Sequence, residues 1–139
     1  MLVAGLGGVG AYAAEQLCRS GIGEMTIIDG DVVEMTNKNR QLPALDSTVG
    51  LPKAEIMAAR FRDINPDLKL HVINDFIRDE GMVDVLERTS YDYVVDAIDT
   101  LAPKIFLIYH SLQKGLPVVS SMGSGGKLDP LKIEIADIS

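Results

Sequence analysis

The stretch Gly5-Leu6-Gly7-Gly8-Val9-Gly10 constrains this chain more than any other, because of what flanks it. An apolar run, Leu2–Ala4, precedes it, and the segment Gly10–Ser20 beyond it sets Ala13, Leu17 and Cys18 near one face at helical spacing. A strand that turns through glycines directly into a helix predicts a use for each of them. Gly5 permits the tight turn, Gly7 lets a phosphate approach the backbone, and Gly10 lets the helix sit close to the strand. The helix N-terminus adds amide donors and the positive end of a dipole. Taken alone, the stretch points to a bound nucleotide and does not say which.

The rest of the chain repeats the same alternation. Strand-like runs are expected at Leu2–Ala4, Met25–Ile28, Leu70–Ile73, Tyr93–Ala97, Val118–Ser120 and Lys132–Ala136. Between them fall helices at Gly10–Ser20, Pro52–Ile64 and Ala102–Lys114. This order predicts an α/β domain with a mostly parallel sheet and helices on both faces. With 139 residues, 47% of them hydrophobic, there is material for one core, so residues 1–139 are expected to form a single domain. The chain opens on an apolar run and stops just after a strand-like segment, which predicts truncation at both ends.

One cysteine leaves no internal disulfide framework, and no run approaches the roughly 18 apolar residues of a membrane span. With no signal peptide visible, a cytoplasmic setting is expected and no membrane partner. A net charge of −7 argues against holding nucleic acid by bulk electrostatics, so an RNA partner would need a basic surface from elsewhere.

Asp29 ends the second strand about 20 residues beyond the glycine loop, where a carboxylate can accept hydrogen bonds from ribose hydroxyls. Up to this point NAD and ATP fit equally. What separates them lies in Asn37 to Gln41 and Val49 to Lys53. In-line attack on a triphosphate needs cations on the departing pyrophosphate and a carboxylate that can hold Mg²⁺. Arg40 offers a bidentate fork and Lys53 a point charge early in a helix, although either alone is an ordinary surface charge. Asp99, after the strand Tyr93–Ala97, is expected at a strand's carboxyl end, with Asp96 as the rival. The glycine-rich Gly123–Gly126 also follows a strand. Asp31 and Glu34 read as a solvated acidic edge.

The chain resembles, over nearly its whole length, the adenylating family of MoeB, ThiF, HesA and the ubiquitin-activating enzymes. The resemblance rests on Arg19 to Gly23, Asn37 to Gln41, Thr48 to Lys53, Asp96-Ala97-Ile98-Asp99 and Gly123 to Pro130. It implies a Rossmann-like fold, ATP with Mg²⁺ and a homodimer. It also implies site roles: Gly7 and Gly8 line the nucleotide, Asp29 holds the ribose, Asn37 and Arg40 contact phosphates, Lys53 steadies the triphosphate, and Asp99 meets the metal. The phrases lie nearest a tRNA-modifying branch. There the adenylated group would be the threonyl carboxylate of threonylcarbamoyladenosine, which then cyclises with net loss of water.

This chain departs from the family in its cysteines. MoeB-like and ThiF-like members carry paired Cys-x-x-Cys zinc ligands, and a lone Cys18 cannot form such a site. Ubiquitin-activating members use a thioester cysteine, whereas Cys18 falls on the helix face expected to be buried. Three further readings stay open: an activator of a sulfur-carrier or ubiquitin-like protein, an NAD-dependent oxidoreductase, and a non-catalytic scaffold. His71 and His110 have no partner at metal-ligand spacing and read as structural.

Overall fold

The computed structural model describes residues 1–137, so the expected boundary at Ser139 lies outside the described residues. Five strands, β1 (Leu2–Ala4), β2 (Glu24–Ile28), β3 (Lys69–Ile73), β4 (Val94–Asp96) and β5 (Val118–Ser120), form one sheet in the order β3-β2-β1-β4-β5. Every pairing is parallel, with Ala4 in register with both Ile28 and Asp96. The order steps outward from β1 to β3, then crosses back to β4 on the other side of β1. That reversal between β1 and β4 makes the crevice where open α/β sheets bind ligands.

Helices α1 (Gly10–Arg19) and α2 (Lys53–Ile64) cover one face, and α3 (Glu80–Glu87) and α4 (Leu101–Gln113) cover the other. The sheet's period of two divides the core between them. Val3, Met25 and Ile27 meet Ala14, Cys18, Met57 and Phe61, while Leu2, Ala4 and Ile28 meet Met82, Val85 and Leu107. A strand covered on both faces reads as an unbroken apolar run, as Leu2–Ala4 does. None of the helices is long and apolar enough to cross a membrane, among the described residues.

Two expectations about elements change. α3 was not foreseen, because its short apolar set, Met82, Val85 and Leu86, is interrupted by Gly81 and acidic residues. Those three side chains are buried against the sheet, so packing outweighs the weak local signal. Conversely, Lys132–Ala136 is not a strand. Pro130–Lys132 forms a 3-10 turn whose first amides are served by Asp129, and Ile133 and Ile135 stand in solvent at 79% and 104% exposure. Their alternation suits a strand, but the segment finds no neighbouring ladder among the described residues.

Candidate functional site

The first loop is built by its two outer glycines. Gly5 has φ +90, and a Cβ there would stand 2.6 Å from the carbonyl oxygen of Ala97. At Gly10 a Cβ would stand 1.7 Å from the carbonyl oxygen of Gly5. These residues bring α1 onto the end of β1 and β1 onto the end of β4. Gly7 and Gly8 differ, since Cβ atoms there would meet only Gln41 Nε2 at 3.7 Å and Arg40 Cγ at 3.5 Å, ordinary contacts. The protein's own packing therefore does not require glycine at either position. No side chain caps α1 at its N-terminus and no acid lies in its first turn, so no side chain offsets the positive potential of that end.

Asp29 closes the loop from below. One carboxylate oxygen accepts from the Leu6 amide at 2.6 Å and the other from the Asp31 amide at 2.8 Å. Burial pushes its carboxyl above the usual range, and these two amides work against that shift. Each oxygen retains capacity for a further donor such as a ribose hydroxyl. Next to it, Gly30 is pressed against the 75–76 backbone, where a Cβ would stand 2.6 Å from the Phe76 nitrogen.

The crossover between β2 and α2 carries the cations. Asn37 is buried in a 3-10 turn, Met35–Asn37, and its Oδ1 accepts from the Glu34 amide at 2.9 Å. That bond shapes the turn from which Arg40 projects. Arg40 is exposed, and its guanidinium donates to the Thr36 carbonyl at 3.2 Å and to Asn39 Oδ1 at 2.8 Å. Lys53 opens α2 after Pro52 and is only 4% exposed. Its Nζ lies 3.1 Å from Asp31 Oδ2, and its amide donates to the Asp31 carbonyl at 3.0 Å. A buried ammonium at the positive end of a helix is unfavourable by itself, and the half-exposed Asp31 offsets it in part.

Asn37, Arg40, Lys53 and Asp99 line one open cavity of about 390 Å³ together with Gly30, Asp31, Glu34, Gln41 and Phe76. The structure thus brings the expected phosphate and metal residues to one place, with Gly7 and Gly8 against its Gln41 and Arg40 walls and Asp29 beneath. The expectation of a solvated acidic edge holds for the exposed Glu34 side chain and is corrected for Asp31, whose carboxylate holds the buried Lys53. Gly30, Gln41 and Phe76 were missed as well. Gln41 adjoins Arg40 in the sequence and its Oε1 is buried without a hydrogen-bond partner, but no spacing rule separates it from a polar loop residue. A larger hollow of about 680 Å³ lies at the opposite edge, between Met1, Glu24 and Tyr91–Tyr93. It is at the amino ends of the strands and no lysine or arginine lines it, so the chemistry is assigned to the smaller cavity.

No group of three or more metal-ligating side chains occurs among the described residues. Asp99 is exposed at the cavity and fits the kind of Mg²⁺ site in which one carboxylate shares the ion with phosphate oxygens. Cys18 is 1% exposed, its Sγ lies 3.4 Å from the Phe61 carbonyl oxygen, and burial pushes its thiol up, as a core cysteine requires. His71 pairs with Glu24 on the surface at 2.7 Å, and His110 makes a tilted ring contact with Phe106 and an edge-on one with Tyr109.

Parallel sheet order, a glycine loop between β1 and α1, and a polar cavity holding Arg40 and Lys53 are features of nucleotide-binding α/β folds, and comparison makes the class specific. The ThiF family model matches residues 1–134, and the chain belongs to that family. It is 45% identical over 137 residues to the tRNA threonylcarbamoyladenosine dehydratase of Escherichia coli, a match covering 99% of this chain and 51% of that protein. It is 47% identical to the protein of the same name from Bacillus subtilis, covering 99% of this chain and 54% of that one. The crystal structure of the E. coli tRNA N6-threonylcarbamoyladenosine dehydratase TcdA in complex with ATP superposes with a TM-score of 0.91 at 46% identity, over 98% of this chain and 56% of that one. The chain therefore spans about half the length of the relatives it matches.

Proposed function

We propose that residues 1–139 are the ATP-binding, adenylating domain of a tRNA threonylcarbamoyladenosine dehydratase. The observation that carries this reading is Lys53: a buried ammonium at the positive end of α2 that lines one cavity with Arg40 and Asp99, beside two glycines whose side chains the protein has no steric reason to lack. A triphosphate completes that arrangement, because its negative charge complements Lys53, Arg40 and the uncapped N-terminus of α1.

In this reading the threonyl carboxylate attacks the α-phosphorus, forming an acyl-adenylate and expelling pyrophosphate. Lys53 and Arg40 neutralise charge as it moves onto the leaving group. Arg40 binds as a planar fork and Lys53 as a point charge held in place by Asp31. Asp29 keeps the Leu6 amide and hence the glycine loop in register, with spare acceptor capacity for the ribose. Asp99 would hold a Mg²⁺ ion there, which would supply further neutralisation of the phosphate charge. The adenylate is then displaced from within the same threonylcarbamoyl group, which closes a ring and releases AMP. No protein thiol enters these steps, in keeping with a buried Cys18.

The net charge of −7 means that a tRNA-binding surface comes from another segment of the protein or from a second copy in a homodimer. The setting is that of tRNA modification, the cytoplasm. The test is AMP release from Mg-ATP by the full-length protein with tRNA carrying threonylcarbamoyladenosine, compared with ribonuclease-digested tRNA and with Lys53→Ala. Release that needs both intact modified tRNA and Lys53 is expected, with Lys53→Ala about 100-fold slower. Release that instead follows addition of a carrier protein with a C-terminal glycine would transfer the reading to a carrier-activating enzyme.

A further inference from the structure

Beneath the cavity lies a buried charged network that the reading above does not use. Asp96 ends β4 and is 0% exposed, and Lys104, in the first turn of α4, is 4% exposed. Lys104 Nζ donates to Asp96 Oδ2 at 2.6 Å, to Ser120 Oγ at 3.3 Å and to the Ser121 carbonyl at 2.8 Å, which uses all three ammonium hydrogens. The Ser120 hydroxyl donates in turn to Asp96 Oδ2 at 2.5 Å. Asp96 Oδ1 accepts from the Ile98 amide at 3.1 Å. Two charges have been withdrawn from water here, where apolar side chains of similar size would often serve stability as well.

Placement gives the network a second consequence. Ile98 directly precedes Asp99, and Asp99 has no hydrogen bond or ion pair through its own side chain among the described residues. Its direction into the cavity is therefore set by the backbone of the β4–α4 loop. The Asp96–Ile98 bond shapes that loop from below, while Gly5 packs on its Ala97 carbonyl from the side. The bond from Lys104 to the Ser121 carbonyl, together with the Ser121 amide donating to the Asp96 carbonyl at 2.8 Å, ties the entrance of the glycine-rich 123–126 segment to the same point.

We propose that Lys104 is a positioning residue: through Asp96, Ser120 and Ser121 it holds the β4–α4 loop and the segment after β5 together, so that Asp99 presents its carboxylate to the metal-bearing end of the nucleotide. The inference rests on the adenylation reading for the role of Asp99. It requires no contact between Lys104 and any ligand.

Lys104→Met alone strands a buried carboxylate, so the informative variant is the neutral pair Asp96→Asn with Lys104→Met, in the full-length protein. Asparagine keeps an acceptor for the Ile98 amide, and no unpaired charge remains. Hydrogen–deuterium exchange should show loss of protection in peptides spanning 97–100 and 121–126, with the β2 peptide unchanged. The Mg²⁺ concentration giving half-maximal AMP formation should rise about tenfold, the scale of lost support behind a metal-binding carboxylate. ATP affinity measured without Mg²⁺ should change little, and Lys104→Arg should keep most of the wild-type Mg²⁺ response. Unchanged exchange in both loops overturns the inference, and so does looser exchange with a wild-type Mg²⁺ requirement. Wild-type protein that neither binds ATP nor releases AMP defeats the adenylation reading itself, and this inference with it.

Discussion

At Gly10 an added Cβ would meet the Gly5 carbonyl oxygen at 1.7 Å, and at Gly8 it would meet Arg40 Cγ at 3.5 Å, so one motif contains glycines of two kinds. Gly10→Ala must displace α1 from β1, and it should destabilise the fold by about 4 kcal/mol or more in urea denaturation. Gly8→Ala should leave stability within about 1 kcal/mol of wild type. It should nevertheless weaken ATP binding at least about tenfold by calorimetry, because the methyl group occupies space in front of the α1 amides. Equal stability losses in the two variants would show that this division is wrong. Cys18 offers the reverse test. Its thiol is buried and pushed up, so Cys18→Ala should retain AMP formation, and the native thiol should resist alkylation at pH 8 until urea is added.

Between elements, the joint of α1 and α2 is a pH-sensitive contact. Glu15 on α1 is 7% exposed, and its carboxylate accepts from Arg60 on α2 at 2.6 Å and 3.1 Å and from Arg19 at 2.9 Å. The Arg60 hydrogen bonds, with Arg19 adding to them, hold its carboxyl below the ordinary 4.5 against the opposing effect of burial. A carboxylate depressed in the folded state contributes its stability in full above that ordinary value and loses it as pH falls below 4.5 through the lower folded value. Glu15→Gln should cost about 1–2 kcal/mol at pH 7, discounted for the half-exposed guanidinium groups. The gap between wild type and variant should narrow progressively as pH falls below 4.5. A gap that stays constant with pH would assign the loss to packing. At this scale the helices α1, α2 and α4 were legible because their apolar spacing is long and regular, whereas α3 was hidden by its brevity.

For the molecule as a whole, ligand-linked stability separates the two nucleotides that the glycine loop alone admits. ATP at a hundredfold excess over its Kd should stabilise the protein by about 2.7 kcal/mol, read as a raised midpoint in thermal or urea unfolding. NAD at the same concentration should not, because nothing in a dinucleotide calls for both Lys53 and Arg40. A shift with NAD and none with ATP would restore the oxidoreductase reading. The sequence by itself determined the alternation of strands and helices and the glycine turn, and it marked Asp29, Arg40, Lys53 and Asp99 as candidates by position and charge, with Asn37 added by the family resemblance. Tertiary structure alone decided who partners whom. Asp31 meets Lys53 across 22 positions, Lys104 reaches Asp96 and Ser120 under the sheet, and the strand-patterned 132–136 finds no ladder. Periodicity reports which face of an element is apolar, but a hydrogen bond or ion pair depends on where two distant backbones are carried, and that is set only when the sheet closes around β1.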